Sequence, residues 1–542
     1  MAMGKDRRDE RILLHGGRVV DGTDSEAFEA DVLIENGIIT RVAPEGIDEV
    51  EGDPRIIDVT GMVVAPGFID MHSHSDLALF RPEGVGIKLT QGITTELLGQ
   101  DGLSVAPIVE EDHSEWRGKL SGLLGGEPSQ WKWETVGEYF DAIDATSPEL
   151  NVCYLLPHGP IRAAVVGTDN VPTTSDDRAE MGKIIARGMA EGAFGFSTGL
   201  IYQPCSFADR DELADLNRYV AEDDGFFVVH MRNESTRVLD SFAEMRYVSE
   251  RSGCPLHVSH LKVAGLDNAP LWPDLLAAID SARAEGLDVT FDQYPYAAGS
   301  TMLDALLPGW VHAGGLESAV ARLRDSRSRA KIFEQLTTLD IIGDEENKYA
   351  RGGPATVLIS WVGSEANAWV TGRTLEYVAD EMGKHPVEAL MDLLAEERLA
   401  ATMISFWGTE EDIVPAMQHP AGLACTDGIY GPHPHPRLAG SFPRILGEFV
   451  RERGVLTLPR AIHRMTQASA RRLGLDDRGV VAEGKVADLV AFDPEEVESR
   501  ASYEDPLLPP RGIEYVIVDG RVAVAEGVLT GERAGAVLRK TH

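Results

Sequence analysis

Eight apolar segments ending in polar or ionisable residues, separated by amphipathic stretches, constrain this chain more than any other feature. They lie at residues 68–74, 92–98, 151–156, 195–199, 226–230, 256–260, 289–295 and 421–425. Eight such strand–helix units close naturally into a (β/α)8 TIM barrel, an α/β architecture. A doubly wound open sheet is the alternative, but no GxGxxG follows the first strand to support it. The stretch from Pro295 to Gly422 is too long for one crossover, so an inserted subdomain is expected at about 296–355. Glycine-punctuated β-prone runs fill residues 11–59 and return at 487–493 and 513–521. The two ends are therefore expected to meet as a small β-sandwich. The boundaries are 8–62 and 476–542 for that satellite and 63–475 for the barrel.

In such a barrel the active site lies at the C-terminal ends of the strands. Strand one ends in His72 and His74, which share a face because strand side chains alternate with period two. Taken alone, that pair is as readily two surface histidines as two ligands. Strand two ends near Asp101, strand five at His230, strand six at His260 and strand eight at Asp427. Neutral imidazoles and carboxylates gathered at one end suit a divalent ion such as zinc. Such an ion acidifies water and polarises a carbonyl, and a neighbouring carboxylate can shuttle the proton. Asp427 is the candidate for that shuttle.

The 50 basic and 88 acidic residues give a net charge of −38, which argues against nucleic acid or anionic membrane partners. A small-molecule substrate is expected, and the sequence carries no signature of an oligomeric state. Cys153, Cys205, Cys254 and Cys425 form no CxxC pair, and residues 1–10 hold no apolar stretch. No apolar run reaches membrane-spanning length, so the expected compartment is the cytoplasm.

Several strings carry a resemblance to a known family. They are Pro66-Gly67-Phe68-Ile69-Asp70 before His-x-His, and Ser197-Thr198-Gly199-Leu200-Ile201-Tyr202-Gln203-Pro204. His230-Met231-Arg232-Asn233-Glu234, Ser259-His260-Leu261-Lys262, Asp292-Gln293-Tyr294-Pro295-Tyr296 and His435-Pro436-Arg437 follow. Over nearly its whole length the chain resembles the amidohydrolase superfamily, and within it the N-acyl-D-amino-acid deacylase (D-aminoacylase) branch. The resemblance implies a zinc hydrolase that releases a carboxylic acid and a free D-amino acid. It implies that His230 and His260 hold the tightly bound metal, and that His72 and His74 line a second, weaker position. Asp427 would be the general acid/base. Tyr202, Lys262 and Arg437 match positions that grip the substrate carboxylate, a role suited to their donors.

The family's usual metal-bridging cysteine, in an Asn-Cys-Gly string, is replaced here by Gln100-Asp101-Gly102. Asp101 can substitute as a harder ligand, with Glu96 as the fallback, so one or two zinc ions, or another divalent metal, are open. Residues 297–307 offer no cation, and a pocket lined by Met302, Leu303 or Leu306 would favour neutral or hydrophobic side chains. A cyclic amidase of the hydantoinase or dihydroorotase type is the rival reading, but 195–199 lacks the lysine those enzymes use. A non-catalytic scaffold is a further rival from another class. His158 is expected beside the site, His433 and His435 in an exposed loop, and Cys425 as buried filler. Trp361, Trp369 and Trp407 are expected as packing.

Overall fold

The computed structural model describes residues 11–47, 50, 54–124, 131–343 and 345–541. The sequence reading of residues 1–10, and the first three positions of the 8–62 segment, fall outside them, as does residue 542.

Eight parallel strands form the central sheet: β1 (Phe68–Asp70), β2 (Ile93–Leu98), β3 (Asn151–Pro157), β4 (Gly195–Gly199), β5 (Phe226–His230), β6 (Leu256–Val258), β7 (Val289–Gln293) and β8 (Gly422–Ala424). Each pairs with its sequence neighbour, for example Val229 opposite Thr198 and Val258. The seam between first and last is closed by Met71 N donating to Ala424 O (3.3 Å) and Asp427 N donating to His72 O (2.8 Å). The sheet is thus a nearly closed barrel. Amphipathic helices pack outside it, as their spacing requires. In Ser175–Ala190 the residues Met181, Ile185 and Met189 are buried, and Thr174 is the N-cap, accepting from Asp177 N.

The chain ends share one nine-stranded sheet. Leu489–Phe492 pairs antiparallel with Val63–Pro66, setting Leu489 opposite Pro66. Its two halves bury one apolar core, including Ile12, Val32, Val64, Leu489 and Ile517. Val63–Pro66 runs through Gly67 directly into β1, so the satellite sheet anchors the strand that carries His72 and His74.

Between β7 and β8 lies a four-stranded antiparallel sheet. Its strands are Ala298–Met302, Ala401–Phe406, Val357–Val362 and Arg373–Thr374. It has a core of its own, with Leu303, Leu323, Ile359, Leu390 and Met403. Residues 296–355 hold only the first part of this unit. Ala401–Phe406 pairs with both Ala298–Met302 and Val357–Val362, so the sheet is completed only at Phe406.

Candidate metal and active site

Strand ends bring His72, His74, Asp101, His230, His260 and Asp427 together in a buried cluster. His72 and His74 follow β1, His230 ends β5, and His260 follows β6. Asp101 reaches the centre because β2 turns at Gly99, which has φ +77°. A Cβ there would sit 2.1 Å from Leu155 O, so only glycine fits that turn. Three of the gathered residues hold left-handed backbone themselves: Asp101 (φ 58°), His260 (φ 33°) and Asp427 (φ 48°). Such conformations are costly for residues with a Cβ and concentrate at functional sites.

The Asp101 carboxylate lies among the imidazoles. Its Oδ1 is 3.8 Å from His72 Nε2, His230 Nδ1 and His260 Nε2, and its Oδ2 is 3.8 Å from His74 Nε2. Asp427 Oδ1 is 3.2 Å from His74 Nε2 and 3.5 Å from His72 Nε2. Groups of three ligand atoms within 4.8 Å of one another form at His72–His74–Asp427, His72–Asp101–His260 and His230–Glu234–His260. Glu96, the fallback ligand, points elsewhere and accepts from Ser73 Oγ (2.7 Å) and Ser75 Oγ (2.8 Å).

This donor set fits a divalent ion. Both ring nitrogens of His72 and of His230, and Oδ1 of Asp101, are buried without a hydrogen-bond partner. Leaving a buried polar atom unpaired costs about 1–3 kcal/mol, which a shared cation removes. The electrostatics agree. Burial works against a charged His72, yet Asp427, Asp101 and Asp292 outweigh it and raise its pKa. Burial and Lys262 oppose protonation of His260, but Glu234 and Asp101 draw it up to about 10. The site therefore favours positive charge at its centre.

Asp427 is held well below the ordinary carboxylate range, because Arg437, His72 and His74 overcome the effect of burial. Arg437, fully buried, places Nη1 2.8 Å from Asp427 Oδ2, donates from Nη2 to Ser300 O (2.9 Å), and stacks 4.5 Å over the Tyr294 ring. Its Nε is buried without a hydrogen-bond partner. Lys262 Nζ donates to Glu234 Oε1 (2.7 Å), and Tyr202 shares a 2.7 Å hydroxyl contact with Thr301. All three expected carboxylate-gripping residues line one pocket with His74, Asp101, His230, His260 and Asp427.

The walls of that pocket differ from those expected. Leu303 and Leu306 pack in the core of the inserted unit, and Met302 packs in the main core. Leu123, Ile201, Met403 and Trp407 are the apolar lining instead, with Lys348 and Arg351 added from the inserted unit. The Arg351 guanidinium is already engaged by Glu346 Oε1 (2.5 Å) and Ser405 Oγ (3.2 Å). Thus cations are present, and the charge of Arg351 is offset locally.

His158 sits behind the site, with Nε2 3.1 Å from Glu212 and Nδ1 2.9 Å from Thr198. His435 is buried rather than exposed, because its ring packs between Tyr296 and Tyr503 and Nδ1 accepts from Arg437 N (3.0 Å). Cys425 packs against Tyr294 and Tyr296. Glu234, Asp292 and Tyr294 had no role in the sequence reading. Asp292 accepts from His257 Nε2 (2.8 Å) and His260 N (2.7 Å) and faces His72 Nδ1 at 3.7 Å. The only signal for it was its place in a polar string at the end of β7.

Comparison with known proteins places this geometry. The amidohydrolase family profile matches residues 55–524. The chain is 32% identical over 536 residues to the D-aminoacylase of Alcaligenes xylosoxydans xylosoxydans, covering 98% of each chain. It is 33% identical over 530 residues to the N-acyl-D-glutamate deacylase of the same organism, covering 98% of this chain and 96% of that one. A crystal structure of N-acyl-D-glutamate deacylase from Bordetella bronchiseptica, with zinc and a phosphonate mimic of the tetrahedral intermediate, superposes with a TM-score of 0.81. Identity there is 32%, over 98% of this chain and 100% of that one.

Proposed function

Because the chain belongs to the amidohydrolase family, we propose that it is a zinc-dependent hydrolase of N-acyl-D-amino acids, releasing a carboxylate and a free D-amino acid. The observation that carries this reading is the convergence of four buried imidazoles on the Asp101 carboxylate with Asp427 beside them. The D-configuration is supported by the activities named for the relatives. We assign the chemistry to the barrel within 63–475, with Val63–Pro66 and the flanking segments as its anchor.

His72, His74, Asp101, His230 and His260 would hold the metal, as one or two ions. When bound, a divalent ion supplies Lewis acidity, acidifying water towards neutrality and polarising the amide carbonyl. Asp427, kept ionised by Arg437 and the neighbouring imidazoles, accepts the proton of the attacking water. It then returns that proton to the amide nitrogen, which leaves as the amine. Arg437, the Lys262 ammonium and the Tyr202 hydroxyl, which line this pocket, would offer donors to the substrate carboxylate. The apolar walls at Leu123, Ile201, Met403 and Trp407 suit a neutral or hydrophobic side chain.

The test is a panel of N-acyl-D-, N-acyl-L- and cyclic amide substrates assayed with added zinc. Hydrolysis of the linear D-compounds supports the reading. Activity confined to cyclic amides, or absent with stoichiometric zinc bound, overturns it.

A further inference from the structure

Asp427 holds a left-handed backbone (φ 48°), and the residues on either side of it are tied to one buried polar cluster. Asp70, Lys88 and Thr426 form that cluster where the end of β1 meets the end of β8, and all three are fully buried. Asp70 Oδ1 accepts from Thr426 N (2.8 Å) and His72 N (3.3 Å). Its Oδ2 accepts from Thr426 Oγ1 (2.6 Å) and from the Lys88 ammonium (2.7 Å). These bonds fill the acceptor sites of an ionised carboxylate.

The Thr426 hydroxyl is equally complete. A hydroxyl has one proton and two lone pairs. The proton goes to Asp70 Oδ2, since the other acceptor in reach, His72 O, lies at 3.5 Å. The lone pairs accept from Lys88 Nζ (2.5 Å) and Gly428 N (3.0 Å). Asp427 is thus bracketed. Asp70 holds Thr426 N before it, the Thr426 hydroxyl holds Gly428 N after it, and His72 O accepts from its own N (2.8 Å). Gly428 O in turn accepts from His74 N (3.3 Å). A left-handed residue with a Cβ persists only where its surroundings over-determine it, and these bonds do so.

We propose that Thr426 is a positioning residue for Asp427. Its hydroxyl, fixed by Asp70 and Lys88, holds the turn that presents the Asp427 carboxylate to the imidazoles and to Arg437. Thr426 stands outside the pocket lining, so its effect reaches the reaction through Asp427. A misplacement of about 1 Å in a catalytic group can cost on the order of 100-fold in rate. This inference rests on the proposed function, in which Asp427 moves the proton.

The test compares Thr426→Val, which keeps the shape and loses the hydroxyl, with Thr426→Ser, which keeps the hydroxyl and loses the methyl. With N-acetyl-D-methionine and added zinc, kcat of the valine variant should fall on the order of 100-fold, with KM and zinc content near wild type. The serine variant should keep kcat close to that of wild type. A folded valine variant with wild-type kcat overturns the proposal, as does a serine variant that loses as much. Should the valine variant not fold, a crystal structure of the zinc-loaded wild type decides. Thr426 Oγ1 should bond Asp70 Oδ2 and Gly428 N there, and a hydroxyl turned from both overturns the proposal. Wild type inactive on every N-acyl-D-amino acid would instead fail the proposed function, and this inference with it.

Discussion

Asp427 and Arg437 form a buried ion pair, with Oδ2 2.8 Å from Nη1, while the other carboxylate oxygen lies 3.2 Å from His74 Nε2. One oxygen is thus tied to a permanent cation and the other faces the imidazole cluster. A carboxylate so placed is ready to take a proton on one side only. Asp427→Asn keeps the shape but removes the base. Turnover should fall by about 10²–10⁴ with zinc content near that of wild type. Wild-type turnover in this variant would remove Asp427 from the mechanism.

The same pair makes a pH prediction. Burial alone would raise the Asp427 pKa, but Arg437 is the largest influence lowering it. Replacing Arg437 by Met removes that influence, so Asp427 protonates at higher pH. The acid limb of the kcat–pH profile should move upward, and KM should rise because a donor to the substrate carboxylate is lost. An acid limb that stays in place would show that Asp427 does not set it.

The barrel and its catalytic end were legible because strand-end polarity is a local signal. His230 ends an apolar run and His72-x-His74 continues one, so the fold rule alone gathers them. The place of Glu234 was not legible, because a turn carries its carboxylate back to within 3.2 Å of His230 and His260. Nor was the buried state of His435, which comes from Tyr503, 68 positions further along. The pocket wall was misplaced for a related reason. Met302 and Leu303 adjoin the site in sequence, but the inserted sheet turns them into cores and brings Met403 and Arg351 to the pocket instead. Long-range pairing, not local pattern, decides such positions.

Asp101, which the resemblance puts in place of a metal-bridging cysteine, bears on metal choice. A carboxylate is a harder ligand than a thiolate, so Asp101→Cys should tighten zinc and cadmium binding relative to manganese. Competition titrations with each ion on both proteins measure the ratio. A ratio that does not move would mean that Asp101 does not touch the metal.

Glu96 lies in a fully buried polar network with Ser73, Ser75 and Lys88. Burial, opposed mainly by Lys88, pushes its pKa from 4.5 up to about 7. A carboxyl raised on folding stabilises the protein fully below its unfolded value. That contribution is lost as pH rises through the folded value. The gap corresponds to about 3 kcal/mol. Glu96→Gln stays neutral throughout, so the stability of wild type relative to this variant should decline between pH 4.5 and 7. Denaturant unfolding across that range tests it, and parallel curves would refute the assignment.

Side-chain selectivity is the property in which pocket lining and pocket charge pull in different directions. Leu123, Ile201, Met403 and Trp407 favour an apolar group, while Arg351 offers a guanidinium to an acidic one. The guanidinium is, however, already paired with Glu346 and bonded to Ser405. Recruiting it would leave the Glu346 carboxylate, itself buried, without its partner. Apolar burial should therefore decide, and kcat/KM should be higher for N-acetyl-D-methionine or N-acetyl-D-leucine than for N-acetyl-D-glutamate. Glu346→Gln frees Arg351 and should narrow that preference by raising the glutamate value. A wild-type enzyme that prefers the glutamate substrate would show that Arg351 exchanges partners on binding, and the apolar account of the pocket would fail.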